Sequence, residues 1–225
     1  MMKCVELGQI MSGMKTKDRI IFAALELFNE QGERTVTTNH IAAHIQISPG
    51  NLYYHFRNKQ EIVRAIFELY SRELLERFAP PHGYKESLSL LKHYLDSIFT
   101  LMWKYRFFYA NLPEILQRDE VLHGSYIRVQ EKLRHNLVSI VSRFIEIELL
   151  DIPESEMESF VTTLHMITAS WLSYRAAMSQ KAQVTEEVIH QGMLHVIAVV
   201  KPRATVGGAE QLQILEEGIR AMHTE

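Results

Sequence analysis

The sequence predicts an all-α fold. Apolar residues recur at the spacing of an α-helix through most of the 225 residues. We find no alternation of apolar and polar residues long enough for a strand, and no internal repeat. Short segments with proline or glycine separate the periodic stretches. At roughly 100–200 residues per domain, the length predicts one large domain or two smaller ones.

Spacing and capping residues define the first three helices. Four apolar residues at i, i+3, i+4 and i+7 form one face of the first helix: Ile21, Ala24, Leu25 and Phe28. Gly32 follows as a helix stop. Thr37 and the two residues after it supply N-cap side chains for a short second helix. Ser48 followed by Pro49 is a start signal for a third helix, which ends at about His55.

Longer helices follow these three. Asn58 can cap a helix at 59–78, and Pro80-Pro81-His82-Gly83 is the clearest break in the chain. A short helical piece is expected to end at 110, before Pro113. The remaining helices are expected at about 85–104, 120–149, 154–180, 185–200 and 211–222. Residues 201–208 are expected to form a loop.

Composition excludes several classes of protein. The chain is 47% apolar and 23% charged, close to the globular average, which excludes a disordered or collagen-like chain. Its single cysteine, Cys4, excludes a disulfide framework and a cysteine-cluster zinc site. No apolar run approaches the roughly 20 residues that span a bilayer, and the first residues lack the pattern of a secretion signal. We therefore expect a cytoplasmic protein with no membrane partner.

Charge is distributed unevenly along the chain. The net charge of −3 is the sum of +2 over residues 1–60, with seven Lys or Arg against five Asp or Glu, and −5 over residues 61–225, with seventeen against twenty-two. The front of the chain is repelled less by phosphate, which indicates a nucleic-acid-binding end. Chance scatter of charges explains the same numbers, and the asymmetry alone does not decide between the two.

Two short helices joined by a tight turn suggest a helix-turn-helix. Five apolar side chains would bury its inner face: Ile41, Ala42, Ile45, Leu52 and Phe56. Four residues of the second helix are then left exposed: Asn51, Tyr53, Tyr54 and His55. Planar rings with polar ends suit contacts with a DNA backbone and base edges. The alternative is a small three-helix core whose aromatic surface has no binding role.

The segment around these helices resembles a known family. Residues 16–66 are similar to the DNA-binding domain of tetracycline-repressor-type (TetR family) regulators, and the most specific stretch is IAAHIQISPGNLYYHFRNKQEI. It combines an Ile-Ala pair, a Ser-Pro-Gly turn, the run Leu-Tyr-Tyr-His-Phe and a lysine that opens the next helix. Met14-Lys15-Thr16-Lys17 is also how such proteins commonly begin. Met1 and Met14 are therefore alternative starts, and we read residues 1–14 as a disordered extension.

The resemblance implies two domains. Residues 1–60, with the start of the following helix, would bind DNA, and residues 61–225 would sense a ligand and form a homodimer. The implied protein is a sequence-specific repressor that occupies a near-palindromic operator on double-stranded DNA and is released by a small hydrophobic ligand. Two alternatives stay open: a ligand-independent regulator or activator, and an all-α enzyme. We identify no catalytic residues and no cofactor motif for an enzyme.

The resemblance assigns DNA contacts to ten positions: Lys15, Lys17, Thr37, Thr38, Gly50, Asn51, Tyr53, Tyr54, His55 and Lys59. The two threonines, Tyr54 and Lys59 match positions that contact phosphate, and the first two lysines would form an N-terminal arm. Gly50 would permit close approach to DNA. Three residues would face the major groove: Asn51, Tyr53 and His55. Because this helix lacks the arginine that most often reads guanine, specificity would depend on the other polar contacts and on DNA shape.

The helices at 154–180 and 185–200 would form the dimer interface, as the resemblance implies. Six of their residues are the expected interface positions: Ser159, Phe160, Thr163, Met193, Val196 and Val200. A symmetric dimer would present two recognition helices to a near-palindromic site.

The second domain is rich in aromatic residues, which would either form its core or line a ligand cavity. Ten residues are the candidate cavity lining: Phe99, Met102, Trp103, Arg106, Phe107, Tyr126, His165, Trp171, Tyr174 and Arg175. Apolar walls favour an apolar ligand. Each of the two arginines would pair with a carboxylate, point to solvent or meet an anionic head group. His165 or Tyr174 would then be a polar anchor for the ligand.

His40 and His44 are four residues apart, a spacing that can bind zinc. No third ligand is evident near them in the sequence, and histidines are also common near phosphate. We therefore expect neither a metal site nor a cofactor.

Overall fold

The computed structural model describes residues 13–80, 87–178 and 184–222. The predicted all-α fold is confirmed, since the regular elements within these ranges are helices. The α-helices, in chain order, are α1 (Thr16–Gln31), α2 (Thr38–His44), α3 (Pro49–His55), α4 (Lys59–Arg77), α5 (Ser87–Lys104), α6 (Arg106–Gln117), α7 (Glu120–Glu146), α8 (Met157–Ala177), α9 (Glu186–Val200) and α10 (Val206–Ala221). Two short 3₁₀ helices are Glu154–Glu156 and Lys201–Arg203.

Some sequence predictions concern residues outside these ranges. The predicted extension lies almost wholly within residues 1–12, and the predicted break includes residues 81–83, which are not among the described residues. Among the helices that are described, none is both long and apolar enough to cross a membrane.

The chain divides into two compact units, residues 1–70 and 71–225. The division lies between Tyr70 and Ser71, inside α4. This helix therefore contributes its N-terminal part to the first unit and its C-terminal part to the second. The domain boundary that the sequence indicates, at residue 60, lies at the start of the same helix.

Capping side chains start α2 and α3 where the sequence predicts. Thr37 Oγ1 accepts a hydrogen bond from the His40 backbone N–H at 3.2 Å. Ser48 Oγ accepts one from the Asn51 N–H at 3.1 Å, and Pro49 occupies the first helical position. Both caps satisfy backbone donors that have no partner within the helix.

The apolar side chains of the first three helices form one core. All five residues predicted to bury the inner face of the helix-turn-helix are buried: Ile41, Ala42, Ile45, Leu52 and Phe56. In α1, Ile20 and Leu27 are buried as well, whereas Ile21 is half-buried. The buried face of α1 is thus rotated from the predicted one, because apolar residues flank the predicted stripe and the neighbouring helices select which of them are covered.

Helix α8 packs against several helices of the second unit. It packs against α6, α7 and α9, and α9 packs in turn against α5 and α10. Val161 and Leu172 of α8 are completely buried. The predicted start of α9 is confirmed, since Thr185 Oγ1 accepts a hydrogen bond from the Val188 N–H at 3.3 Å.

The predicted end of a short helical piece before Pro113 is confirmed by a break at Asn111, but the second helical segment that follows this break was not predicted. Helix α6 continues through Pro113 to Gln117, with non-helical backbone at Asn111 (φ −121°, ψ 16°). A proline has no N–H to donate to the carbonyl four residues earlier, which is that of Tyr109. Ser173 Oγ of α8 donates to this carbonyl at 2.7 Å. A side chain from another helix therefore permits the kinked helix to continue.

The predicted loop after α9 is wrong. Lys201–Arg203 is a 3₁₀ helix, and α10 begins at Val206, capped by Thr205 Oγ1, which accepts from the Gly208 N–H at 3.0 Å. The glycine pair that predicts a loop lies in the first turn of this helix. A Cβ at Gly208 would lie 2.0 Å from the Leu149 carbonyl oxygen, so glycine is required by close packing rather than by a turn.

We expect Gly208→Ala to lower the free energy of unfolding by about 1–3 kcal/mol, because the added methyl group must displace the Leu149 backbone. Gly207→Ala is the matched control, since it lies in the same helical turn and an added Cβ meets nothing within 4 Å. It should leave stability unchanged or raise it by up to about 1 kcal/mol. Urea denaturation measures both variants, and equal midpoints would contradict the close contact.

Candidate nucleic-acid interface and ligand cavity

The ten predicted DNA-contact positions all lie in the first unit. Seven are exposed: Lys15, Lys17, Thr37, Gly50, Asn51, Tyr53 and Tyr54. Three are partly buried: Thr38, His55 and Lys59. They lie at the starts of α1, α2 and α4 and along α3.

Helix α3 has two contrasting faces. Leu52 and Phe56 are 1% and 4% exposed and fix the helix in the core. Tyr53 and Tyr54 are 49% and 85% exposed. Tyrosine combines a large apolar ring with a polar end, and such side chains are favoured where a surface meets a partner. The buried pair sets the orientation of the helix, and the exposed pair faces solvent.

A hydrogen bond joins the two helices of the motif at their exposed edge. Thr38 Oγ1 and Tyr53 OH are 3.1 Å apart. The ring of Tyr54 meets that of His55 edge to face, with centroids 5.1 Å apart. The Tyr53 ring is thus oriented by α2, while Tyr54 extends into solvent.

The turn between α2 and α3 is held by its surroundings. Gln46 has φ 56°, in the left-handed region that costs a residue with a side chain about 1–2 kcal/mol. Arg19 Nη2 of α1 donates to the adjacent Ile45 carbonyl at 2.9 Å. The bond ties the turn to α1 and so helps to fix the angle at which α3 leaves it.

The side chain of Lys59 points into the first unit. Its Nζ donates to the carbonyls of Glu33 at 2.7 Å and Val36 at 3.1 Å, and lies 3.0 Å from Glu33 Oε1. An ammonium group has three donors, so these contacts occupy all of them. The geometry differs from the predicted phosphate contact because Glu33, distant in sequence, is only 6% exposed and needs a cation. The Glu33 carboxylate also offsets the unfavourable lysine charge at the start of α4.

Arg57 is a cation of this surface that the sequence analysis did not assign. It lies between α3 and α4, is exposed, and its backbone N–H donates to Glu61 Oε2 at 2.8 Å. Lys17, by comparison, lies over the Phe56 ring at 5.7 Å from its centroid. The run His-Phe-Arg-Asn-Lys contains both Arg57 and Lys59, and only the tertiary structure distinguishes the exposed cation from the internal one.

The two histidines with zinc-like spacing have separate roles. His40 Nδ1 accepts from the Thr37 backbone N–H at 3.4 Å and completes a capping box. His44 Nε2 lies 3.2 Å from Glu26 Oε2. Within the described ranges, no three side chains of the metal-binding types converge.

A cavity of about 110 Å³ lies in the second unit, among α5, α7, α8 and α9. Its described lining is almost entirely apolar: Phe78, Leu91, Tyr94, Leu95, Ile98, Leu137, Ile140, Val141, Phe144, Leu150, Phe160, Leu164, His165, Thr168, Val196, Ile197, Val200 and Leu212. Burial lowers the pKa of the His165 imidazole, which favours its neutral form.

Of the ten predicted lining residues, His165 is the one that lines this cavity. The others take part in packing or reach the surface: Met102 and Phe107 are buried and Tyr174 is 55% exposed. Phe99 stacks on His190 with centroids 4.7 Å apart. The helices are those that the sequence indicates, but the cavity lies on faces of them that carry aliphatic residues. The aromatic composition led us to predict that the aromatic faces line the cavity, whereas these faces pack the helices against each other.

The two arginines do not line the cavity. Arg106 lies over the Trp103 ring, 4.4 Å from its centroid, and donates to the Trp103 carbonyl at 3.0 Å. Arg175 lies 5.8 Å from the centroid of Trp171. Both guanidinium groups therefore lie against tryptophan rings, and the cavity has no positive charge from them.

Four of the six predicted interface positions are buried within their own unit: Phe160, Met193, Val196 and Val200. They offer little surface to a second subunit. Because α8 and α9 carry apolar residues on more than one face, periodicity did not show which face was internal. Three large apolar residues of α8 and the turn after it are exposed instead: Met166 at 59%, Tyr174 at 55% and Met178 at 67%.

Two family models match the chain. One, named TetR and described as "Bacterial transcriptional repressor", matches residues 69–212. The other, described as "Bacterial regulatory proteins, tetR family", matches residues 20–66. The two matches meet inside α4, near the division between the two units.

Relatives agree with these matches. IcaR, a negative transcriptional regulator of the biofilm operon icaADBC in Staphylococcus epidermidis, is 27% identical over 180 residues, covering 76% of this chain and 89% of IcaR. UidR, a transcriptional regulator of Escherichia coli K12, is 34% identical over 86 residues, covering 38% of this chain and 42% of UidR.

A solved structure extends the similarity to nearly the whole chain. A TetR-family transcriptional regulator from Marinobacter aquaeolei VT8 is 32% identical, covers 92% of this chain and is itself covered to 99%, with a TM-score of 0.79. The helix-turn-helix geometry, the family matches over both units and this structure agree. The chain belongs to the TetR family of DNA-binding transcriptional regulators.

Proposed function

We propose that the chain is a cytoplasmic repressor that binds a near-palindromic operator as a homodimer and leaves it when a small hydrophobic molecule occupies the cavity. The observation that carries this proposal is α3, which is anchored by Leu52 and Phe56 and presents Asn51 and two tyrosines to solvent. A relative named as a negative regulator supports repression. The first unit would bind the operator, and the second would bind the ligand and the other subunit.

In the proposed complex, the start of α3 lies closest to DNA. Gly50 and Asn51 are exposed there, so the Gly50 backbone and the Asn51 side chain are open to a partner. Tyr54 would reach the DNA backbone because its side chain is more exposed than that of Tyr53, the other tyrosine of α3. Arg57 would supply a phosphate contact in place of Lys59, whose donors are occupied.

The proposed dimer contact is the exposed apolar surface formed by Met166, Tyr174 and Met178. Met166 and Tyr174 are eight residues apart on α8 and therefore lie on one side of it. Large apolar side chains that are more than half exposed lose unfavourable contact with water when a second copy covers them. A two-fold dimer would place two α3 helices roughly 34 Å apart, or one DNA turn.

The cavity reaches the end of α4. Phe78, directly after this helix, lines the cavity and stacks on Tyr94 with centroids 5.7 Å apart. Tyr94 OH donates to the Ala79 carbonyl at 3.1 Å. A molecule in the cavity would therefore contact the end of the helix whose start belongs to the first unit. This supports release by a population shift, in which the ligand favours one position of α4.

We expect Arg57→Ala to weaken DNA binding on all sequences and to reduce the salt slope by about one, because one phosphate contact is lost. Its stability should be unchanged, since the side chain is exposed. Lys59→Met should instead lower the free energy of unfolding by about 1–3 kcal/mol, because Glu33 and two carbonyls lose their donor. Gel shifts over a salt series and urea denaturation separate the two effects. If Lys59→Met lowers the salt slope and leaves the free energy of unfolding unchanged, Lys59 rather than Arg57 contacts phosphate.

We expect Gly50→Ala to weaken operator binding by about 1–3 kcal/mol, comparable with one mismatched base pair. The free protein tolerates the methyl group, because the nearest atom to an added Cβ is Ser48 Oγ at 3.9 Å. Alanine is also the better helix former, so the melting temperature should stay the same or rise. Operator affinity equal to that of the wild type would show that the start of α3 does not approach DNA closely.

We expect the wild-type chain to be a dimer in light scattering, and the double variant Met166→Glu, Tyr174→Glu to be a monomer with weaker operator binding. Each subunit of the variant would bury two unpaired carboxylates in the proposed contact, which disfavours association. Ile214→Glu on α10 is the matched control, since Ile214 is 57% exposed and lies outside the proposed contact. If the double variant remains a dimer, the subunits meet elsewhere.

A further inference from the structure

Helix α10 separates the cavity from solvent on one side. Leu212 of this helix lines the cavity and is 1% exposed. Ile214, two residues later, is 57% exposed. Residues two apart on a helix point to nearly opposite sides, because each residue turns the helix by about 100°. The wall is therefore one helix thick here, with the cavity on the inner side of α10 and water on the outer side.

Helix α10 is held less firmly than the other helices of the cavity wall. It packs mainly against α9 and the 3₁₀ helix Lys201–Arg203, whereas α8 packs against α6, α7 and α9. Three of its sixteen residues are glycines, and α5, α7, α8 and α9 contain at most one glycine each. Glycine disfavours a helix because it loses the most conformational freedom on folding. A helix with few neighbours and low propensity is the kind of segment that opens locally while the rest stays folded.

A polar contact fastens the middle of α10. Lys201 Nζ, in the 3₁₀ helix before it, donates to Gln213 Oε1 at 2.7 Å and to Glu216 Oε2 at 2.9 Å. The lysine side chain is partly exposed, and ion pairs in contact with water stabilise a protein only weakly. The start of the helix is held differently, since Gly208 packs closely against the Leu149 backbone. Opening would therefore begin in the C-terminal half of the helix.

Apolar contacts anchor that half as well. Ile219 is 6% exposed and packs in a cluster with Leu95 of α5 and with Met193 and Ile197 of α9, and Leu215 lies half-buried against the same cluster. Ile197 also lines the cavity. A side chain that lies under the C-terminal half of α10 is thus part of the cavity wall. Loss of the Ile219 contact would therefore expose this part of the wall to solvent.

We infer that the cavity is entered by local opening of the C-terminal half of α10, residues 212–221. The inference rests on the proposed function for its consequence, because it takes the cavity to be the ligand site. Helix α10 would then set how fast a molecule reaches the cavity and how fast it leaves. The opening itself requires neither ligand nor DNA, so it can be measured in the free protein.

Thiol labelling measures this opening directly. The chain has one cysteine, Cys4, which the background substitution Cys4→Ser removes. Ile197→Cys then places a thiol under α10. Leu172→Cys is the matched reporter, since Leu172 is 0% exposed and is not among the described lining residues. Each full-length variant is treated with methyl methanethiosulfonate at increasing urea concentrations, and modification is followed by mass spectrometry.

We expect Ile197→Cys to be labelled roughly tenfold or more faster than its global unfolding equilibrium allows, and with little dependence on urea, because local opening exposes little surface. Leu172→Cys should be labelled only through global unfolding, with the full dependence on urea. Labelling of Ile197→Cys at the rate set by global unfolding would overturn the inference. If Ile197→Cys does not fold, Leu95→Cys in the same cluster is the second reporter, with the same expected result.

Variants of α10 and of its polar contact locate the opening. Gly218→Ala should slow labelling of Ile197→Cys about threefold, since alanine favours the helix and an added Cβ meets nothing within 4 Å. Lys201→Met should speed it about two- to fivefold by removing the polar contact. Arg134→Met is the control, because it breaks an ion pair between α7 and α8, with Glu158 at 2.7 Å, and should leave the rate unchanged. An equal change in the control, or no response to Gly218→Ala and Lys201→Met, would overturn the inference.

Failure of this inference and failure of the proposed function give different results. If local opening is measured but no small hydrophobic molecule releases the operator, the inference stands and the release step of the proposed function is contradicted. If such a molecule releases the operator while Ile197→Cys is labelled only through global unfolding, the molecule reaches its site by another route and the inference is overturned.

Discussion

Helices α2 and α3 have seven residues each and are too short to persist in water alone, where about 12–15 residues are needed for even marginal stability. The candidate DNA-binding surface therefore depends on the burial of Leu52 and Phe56 against the core of the first unit. Caps at Thr37 and Ser48 start the two helices, and the Arg19 contact holds the turn between them. Without the burial of Leu52 and Phe56, α3 would not persist and the exposed tyrosines would not be oriented.

In the same unit, one internal charge pair is the reason that the proposed phosphate contact moves from Lys59 to Arg57. Glu33 is almost completely buried, and the carbonyls of its loop also need donors. Lys59 meets both needs from the start of α4, and so joins the loop after α1 to the long helix. An exposed arginine two residues earlier is left to face a partner. The cation that pairs with Glu33 and the cation that we propose contacts DNA thus lie two residues apart in the sequence.

In the second unit, α8 has three different environments around its circumference. One side lines the cavity through Leu164, His165 and Thr168. Another side carries Ser173, whose Oγ donates to the Tyr109 carbonyl of α6, four residues before Pro113. A third exposes Met166 and Tyr174. A helix that contributes to the cavity, to the core and to the proposed dimer contact would transmit a change at any one of them, because packed interiors do not deform locally.

By itself the sequence determined the all-α class, the caps of α2, α3 and α9 and the five buried residues of the helix-turn-helix, because these depend on contacts within a few residues and on helical periodicity. Tertiary structure decided the rest. Whether the chain becomes helical again after the break at Asn111 depended on Ser173, and whether the glycine pair forms a loop depended on the Leu149 carbonyl. The cavity and the exposed face of α8 were also decided there. Periodicity shows that a helix has an apolar face, but only its neighbours determine whether that face meets a core, a cavity or solvent.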